Sequence, residues 1–491
     1  MDERYYSPIP CGTPIPFDTP HAFSVSLPTY QDVADYEESA GDIFTKVRQA
    51  YPRIIQHPLV SQLTEEIRRI YDRDNHYALL LPSRAAFDEV CRLWKKTPTF
   101  YEHRGSLLLA LFSSSQERYS FFTIMKWCGY MIFSREAERI LKGHSQPSPA
   151  EQQQEKQIIT DVLREGYGPG KTILTNSGMN AFYSVFAAVK DAAAHTHRDT
   201  VIQFGWLYTD SISILRSFAP RHHQIPRVTD LHTLRTALAY EGDRVMAIVT
   251  ETVSNPLLHT PNFTALKELC REYGCWLIVD NTFATPWNVD ISSAADCIIE
   301  SMTKYAVGTG DTMAGAVFVP AESSFSETIL SDVAKRSIPL QHEDLLRCAQ
   351  GIRSYGARMQ RVNEVCKQIA AFLRHHPAVE SVYSVYSETA ENYGAIARHD
   401  EAYGGVLTFA VRGDFAIFYD SLCLPKGPSL GTDFPLLMSY TLLAHWDLVQ
   451  KEGQKELSQA GISPWLLRLS VGTYDPDRTI AALKRSLDLL L

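Results

Sequence analysis

The stretch Phe263-Thr264-Ala265-Leu266-Lys267-Glu268-Leu269-Cys270-Arg271-Glu272-Tyr273-Gly274-Cys275-Trp276-Leu277-Ile278-Val279-Asp280 decides the fold class. Phe263, Leu266, Cys270 and Tyr273 recur at helical spacing, and Gly274 supplies the C-terminal stop. The short apolar run 276–279 then reads as a buried strand that ends at Asp280. With the apolar run 245–250 before it, the segment reads as strand, helix, strand. Working outward, the same alternation runs from about Lys171 to Pro320, with strands predicted at 171–174, 201–204, 245–250, 276–279, 297–299 and 316–319. Short apolar runs separated by helical periods predict an α/β fold built on a mainly parallel sheet.

Beyond Pro339 the pattern changes. A long helical stretch covers Leu345 to Leu373, apolar runs follow at 406–411 and 466–471, and a closing helix runs from Pro476 to Leu490. These predict a smaller α+β C-terminal domain. At the other end, the first forty residues are rich in proline and polar residues (Ser7-Pro8-Ile9-Pro10, Pro14-Ile15-Pro16). They predict an extended arm of the kind that wraps a neighbouring subunit. A second break, Gly143 to Lys156, joins loop chemistry to a polar helix start. The expected division is an N-terminal extension and arm over 1–145, a large domain over 146–340 and a small domain over 341–491.

Bulk properties narrow the function classes. The chain has 491 residues, 45% hydrophobic and 21% charged, an ordinary globular composition. A net charge of -9 and the lack of any Lys/Arg-rich run argue against nucleic acid as a partner. Apolar runs such as 107–112 and 245–249 fall far short of the roughly 20 residues that cross a bilayer. The start, Met1-Asp2-Glu3-Arg4-Tyr5-Tyr6, lacks the basic and apolar regions of a secretory signal, so a cytoplasmic location is expected. Nine cysteines without a CxxC pair suggest neither a metal site nor a disulfide framework.

Two phosphate motifs fail on spacing. Gly166-Tyr167-Gly168-Pro169-Gly170-Lys171-Thr172 has Glu165 where a P-loop needs its first glycine, and Gly308-Thr309-Gly310 is followed by Met313 where a dinucleotide fingerprint needs a third. A stronger constellation has four parts at strand ends, where open α/β sheets bind ligands. Thr175-Asn176-Ser177-Gly178-Met179-Asn180 opens a helix with apolar face Phe182, Phe186 and Val189, and a glycine there lets helix N–H groups approach a phosphate. Asp280 ends an apolar strand; it reads either as a turn cap or as a carboxylate paired with a cationic ring nitrogen. Ser301-Met302-Thr303-Lys304 sets two hydroxyls beside an amine, which is either a solvated lysine or a Schiff-base lysine with phosphate ligands. Arg468, inside Trp465-Leu466-Leu467-Arg468-Leu469-Ser470, suits either a structural ion pair or capture of a substrate carboxylate.

In order and interval, these parts resemble the cystathionine γ-synthase family of pyridoxal phosphate (PLP) enzymes of Cys/Met metabolism, fold type I. The resemblance covers about Phe133 to the C-terminus. It includes Glu251-Thr252-Val253-Ser254-Asn255-Pro256, Val279-Asp280-Asn281-Thr282-Phe283-Ala284-Thr285-Pro286 and Leu467-Arg468-Leu469-Ser470-Val471-Gly472. The stretch 18–29, Tyr51-Pro52-Arg53 and Gly427-Pro428-Ser429-Leu430-Gly431-Thr432 are similar to the fungal branch.

The resemblance implies PLP as cofactor, with Lys304 as Schiff-base lysine and proton shuttle and Asp280 on the pyridine nitrogen. Ser301, Thr303, Gly178 and Met179 would hold the phosphate, and Arg468, Ser429 and Asn255 the substrate carboxylate. It implies γ-substitution on an O-activated L-homoserine such as O-acetyl-L-homoserine, with a thiol nucleophile. A carbon nucleophile such as a β-keto acid enolate, a γ-lyase, or a fold relative without chemistry are the alternatives. It also implies a homotetramer built as a dimer of dimers, with Arg135 reaching the neighbour's phosphate. Phe133 and Phe204 stand where many members carry tyrosine. Phe204 is then expected to stack on the cofactor ring without donating a proton, which leaves the acid for the leaving group unassigned, with Tyr208 a candidate.

Overall fold

The computed structural model describes every residue except Met1, Arg53, Gln146, Pro149, Lys451 and Glu452. Arg53 of the Tyr51-Pro52-Arg53 motif, and Gln146 and Pro149 of the interdomain break, lie outside the described residues.

The N-terminal arm has strands β1 (Pro14–Ile15) and β2 (Ser24–Val25) that pair antiparallel, and within this chain it packs on its own core. Ser24 Oγ donates to the Pro428 carbonyl at 2.6 Å, and Leu27 N donates to the Lys426 carbonyl at 2.9 Å. Ile15, Val25 and Leu27 are fully buried. The proline-rich composition signalled the lack of long regular elements, but the interspersed apolar residues find their core within the same chain.

Residues 77–112 form a small antiparallel sheet, β3 (Tyr77–Leu81), β4 (Thr99–His103) and β5 (Leu107–Phe112), in the order β3-β5-β4. The apolar run in β5 is central and buried on both faces. Leu108, Ala110 and Phe112 enter one core with the helix Ser115–Cys128, while Leu107, Leu109 and Leu111 pack with Val60, Leu63 and Ile67 of the helix Pro58–Tyr71. The period of two in a strand accounts for the division.

The large sheet contains β6 (Gly170–Thr175), β7 (Thr200–Phe204), β8 (Arg221–Ile225), β9 (Val245–Glu251), β10 (Trp276–Asp280), β11 (Cys297–Glu300) and β12 (Gly315–Pro320), in the order β6-β12-β11-β10-β9-β7-β8. The pairs among β7 to β11 are parallel, and β12 runs antiparallel to both β11 and β6. All six predicted strands are present. The unpredicted β8 reads Arg-His-His-Gln-Ile and lies at the sheet edge, where half-exposed polar residues leave no apolar run to detect. The helix Phe263–Tyr273 ends as expected, with Gly274 left-handed at φ 62°.

The helix Gly178–Ala193 buries nearly all of its sides rather than one face, because it lies between the large sheet and the helices Ser115–Cys128 and Glu327–Arg336. The long helical stretch of the C-terminal part is broken into His342–Gly351, a short 3-10 turn and Tyr355–His375. The final sheet, β13 (Val379–Tyr383), β14 (Val406–Val411), β15 (Leu436–Ser439) and β16 (Leu467–Ser470), is antiparallel in the order β13-β14-β16-β15. The fold is therefore α/β, a mostly parallel sheet joined to a smaller antiparallel α+β unit. All nine cysteines are free, and among the described residues no helix is long and apolar enough to cross a membrane.

Candidate active site

The carboxyl ends of β9, β10 and β11 each deliver an acid into one region. Asp280 ends β10 opposite Glu251 in register, and Glu300 follows the β11 residue paired with Asp280. Asp280 is enclosed by protein and opens only onto a cavity, which leaves it half-buried by surface. It accepts the Thr282 N–H at 2.9 Å, but burial outweighs that bond and pushes its carboxyl above the usual range. Burial, then the Asp280 charge, push Glu251 well up, although it accepts the Tyr208 N–H at 2.6 Å. Burial raises Glu300 to about 7, against hydrogen bonds from Tyr167 at 2.5 Å and Tyr355 at 2.7 Å. Among the described residues none of these three carboxyls has an ion-pair partner. Two buried acids and the half-buried Asp280 between them, none in an ion pair among the described residues, form a site that a positively charged group would stabilise.

The cavity beside them is lined by Gly178, Met179, Tyr208, Ser301 and Lys304 on the large-sheet side, and by Asn255, Ser429, Tyr440 and Arg468 toward the small domain. Gly178 begins its helix under a Ser177 cap. A Cβ at Gly178 would stand 2.7 Å from Ser301 Cβ, so only glycine lets the helix N-terminus and the serine close into one cradle. The Ser301 backbone is itself held by Thr282 Oγ1 at 2.9 Å.

Lys304 follows through a turn closed by its own N–H on the Ser301 carbonyl, 3.1 Å. Its Nζ donates to Ser429 Oγ at 2.8 Å and lies 3.4 Å from the Tyr51 hydroxyl. Ser429 reaches it from a left-handed backbone, φ 98°, a strained conformation for a residue with a Cβ and one that collects at functional sites. Gly431, φ 71°, passes so close that a Cβ would stand 2.7 Å from Lys304 Cβ.

Arg468, buried on β16, donates to Asn255 Oδ1 and to the Ser429 carbonyl, both at 3.1 Å, above the Tyr440 ring at 5.2 Å. Among the described residues it makes no ion pair, so its charge is placed to receive an incoming carboxylate.

Two expected positions fall elsewhere. Thr303 is buried away from the cavity lining, and its hydroxyl donates to the Ala314 carbonyl at 3.1 Å while accepting the Ala314 N–H at 2.9 Å. Phe204 is wholly buried in the large core as the last β7 residue, and its carbonyl accepts a bond from Thr250. After Gly205 turns the chain, it is Tyr208 that faces the cavity. The expectation that Phe204 stacks on a bound ring is corrected on this point: its side chain is in the core, and the aromatic lining the cavity is four residues later. Arg135, expected at the neighbour's phosphate, is buried in its own chain between Asp344, at 2.9 Å, and Asp311. Within its own chain it serves this acidic pair and not a phosphate cradle.

Sequence reasoning assigned no role to Glu251, Glu300 or Tyr51. Glu251 and Glu300 carried the same signal as Asp280, an acid closing an apolar strand; Tyr51 stood in a motif of the fungal resemblance that gave it no role.

The cradle, the lysine and the acids suit PLP: helix N–H groups and Ser301 for the phosphate, Lys304 for the aldehyde and Asp280 for a protonated ring nitrogen.

A family model for Cys/Met metabolism PLP-dependent enzymes matches residues 149–488. An L-2-amino-4-chloropent-4-enoate dechlorinase/desaturase of Streptantibioticus cattleyicolor is 32% identical over 470 residues, covering 93% of this chain and 94% of that protein. The cystathionine gamma-synthase of Neurospora crassa is 31% identical over 320 residues, covering 63% of this chain and 50% of that one. The crystal structure of cystathionine gamma synthase from Xanthomonas oryzae pv. oryzae in complex with cystathionine superposes with a TM-score of 0.59 at 25% identity, covering 66% of this chain and 83% of that chain.

Proposed function

The chain belongs to the family of Cys/Met metabolism PLP-dependent enzymes, and on that premise we propose that it breaks the bond between the γ-carbon of an L-amino acid and a leaving group. One observation carries the reading: Ser429 touches both Lys304, through its hydroxyl, and Arg468, through its carbonyl. An amino acid whose carboxylate is held by Arg468 and Asn255 therefore presents its Cα and Cβ to the Lys304 amine.

Bound in the cradle, PLP supplies a reversible link to the substrate amine and an electron sink for the charge left at Cα. The protein does the rest. Ser301 and the N–H groups of Gly178 and Met179 hold the phosphate, and Asp280 keeps the ring nitrogen protonated. Arg468 and Asn255 grip the carboxylate. Lys304 Nζ would take the proton from Cα, pass it on to the bound cofactor and so be a free amine again before taking one from Cβ, and Tyr208 would give a proton to the departing group and regain one from the incoming nucleophile or water.

The substrate of this reading is an O-activated L-homoserine such as O-acetyl-L-homoserine, and a thiol replaces the leaving group. A second reading, elimination without a nucleophile, is favoured by the end-to-end likeness to the dechlorinase/desaturase. That likeness spans 93% of this chain, against 63% for the Neurospora cystathionine gamma-synthase.

One experiment separates them. The holoenzyme is incubated with O-acetyl-L-homoserine plus cysteine, plus acetoacetate or alone, and separately with L-2-amino-4-chloropent-4-enoate; products are read by mass. Cystathionine supports thiol replacement, a keto-acid adduct supports a carbon nucleophile, and chloride release supports elimination. No turnover of any of them refutes cleavage at Cγ for these substrate classes.

A further inference from the structure

Lys304 is gripped by a residue from the far end of the chain. Its Nζ lies 4.6 Å from the centroid of the Tyr51 ring and 3.4 Å from the Tyr51 hydroxyl. Tyr51 is itself buried and lines the active-site cavity. Its ring stands edge-on to Phe23 with centroids 5.8 Å apart, and its carbonyl accepts the Ile54 N–H at 2.7 Å. The neighbouring Gln49 donates to the Ala22 carbonyl at 3.2 Å. Phe23 N in turn donates to the Gly310 carbonyl at 3.3 Å, just beyond the turn that carries Lys304. The arm is thus tied both to the lysine loop and, through Ser24 and Pro428, to the loop that carries Ser429.

We propose that Tyr51 is a positioning residue for Lys304, so that the N-terminal arm is a working part of the active site of its own chain. The ring face favours the ammonium that Lys304 becomes each time it takes a proton, because an aromatic face attracts a cation. The hydroxyl, with Ser429 on the other side, aims Nζ at the substrate. This role rests on Lys304 being the base of the reading above.

The test uses L-norvaline, an amino acid with no γ-leaving group, whose α-proton exchange in deuterated water reports Lys304 alone. Exchange by the holoenzyme is followed by NMR for the wild type, Tyr51→Phe and Tyr51→Leu. In the cofactor-free chain, acylation of Lys304 by acetic anhydride is followed against pH by mass spectrometry.

Tyr51→Phe, which keeps the ring, slows exchange about tenfold with KM little changed, and Tyr51→Leu slows it about a hundredfold. The acylation midpoint of Tyr51→Leu moves about one pH unit toward acid, while that of Tyr51→Phe stays near the wild type. Rates within twofold of wild type and unmoved midpoints for both variants overturn the proposal. So does loss of the cofactor's visible absorption in Tyr51→Phe, which marks a merely structural role. Wild-type enzyme that fails to exchange the proton brings down the base role of Lys304 itself.

Discussion

Replacing Glu300 by glutamine should flatten a pH-dependent loss of stability in the cofactor-free protein. Glu300 is buried at the end of β11, with Tyr167 and Tyr355 donating to its two oxygens, and its carboxyl is raised from 4.5 to about 7. The sign follows from linkage. Below the unfolded value both states are protonated and the acid contributes no penalty. As pH rises toward 7 the unfolded chain ionises while the folded one does not, so stability falls, and it levels off above the folded value. At about 1.4 kcal/mol per pH unit, the wild type should lose about 2.5 kcal/mol relative to Glu300→Gln between pH 5 and pH 8. Glutamine keeps the site filled, since its amide can donate to Tyr167, which already accepts from Asn281 at 3.3 Å. Urea unfolding at one protein concentration, followed by tryptophan fluorescence, measures the difference at each pH. A flat difference, or a wild type that gains on the variant as pH rises, refutes the claim that burial dominates at Glu300.

Asp280→Asn should weaken PLP binding by 10²- to 10³-fold, about 3 to 4 kcal/mol, because the ring nitrogen loses its buried counter-charge; titration of the visible absorption checks it. Gly178→Ala should weaken cofactor binding at least tenfold while leaving Lys304 reactive, since the new Cβ must push against Ser301 at 2.7 Å; the ratio of PLP to inorganic phosphate affinity reads the cradle directly. Arg468→Lys should raise KM for the amino acid about a hundredfold with a smaller change in kcat, because an ammonium cannot keep Asn255, the Ser429 carbonyl and a bidentate carboxylate together.

Much of the architecture was readable in advance because parallel strands buried on both faces must be short apolar runs. That rule found β7, β9, β10 and β11, apolar runs also marked the antiparallel β6 and β12, and the rule failed at β8, whose edge position removes the need for apolar residues. In the small domain apolar runs marked the antiparallel β14 and β16 but not β13, whose residues are mostly half-exposed, nor the four-residue β15. The long helix was read as continuous because periodicity does not register a single carbonyl drawn aside. Here Gly351 O accepts Arg358 Nη1 at 3.2 Å at the break.

The site divides in the same way. Gly178, Asp280, Ser301, Lys304 and Arg468 were legible in the sequence as candidates, because each sits at a strand end, at the helix start after one or on a strand, while the role of each came from the family resemblance. Which neighbours each would have was decided only by the tertiary structure. Lys304 meets Ser429 across 125 positions and Tyr51 across 253, Thr303 turns to Ala314, Arg135 turns to two aspartates, and Phe204 yields the cavity to Tyr208. A side chain's direction at the end of a strand depends on the twist of the sheet and on what the other domains press against it. Local sequence therefore locates the chemistry, and packing between distant segments determines which hydroxyl, charge or ring the chemistry is given.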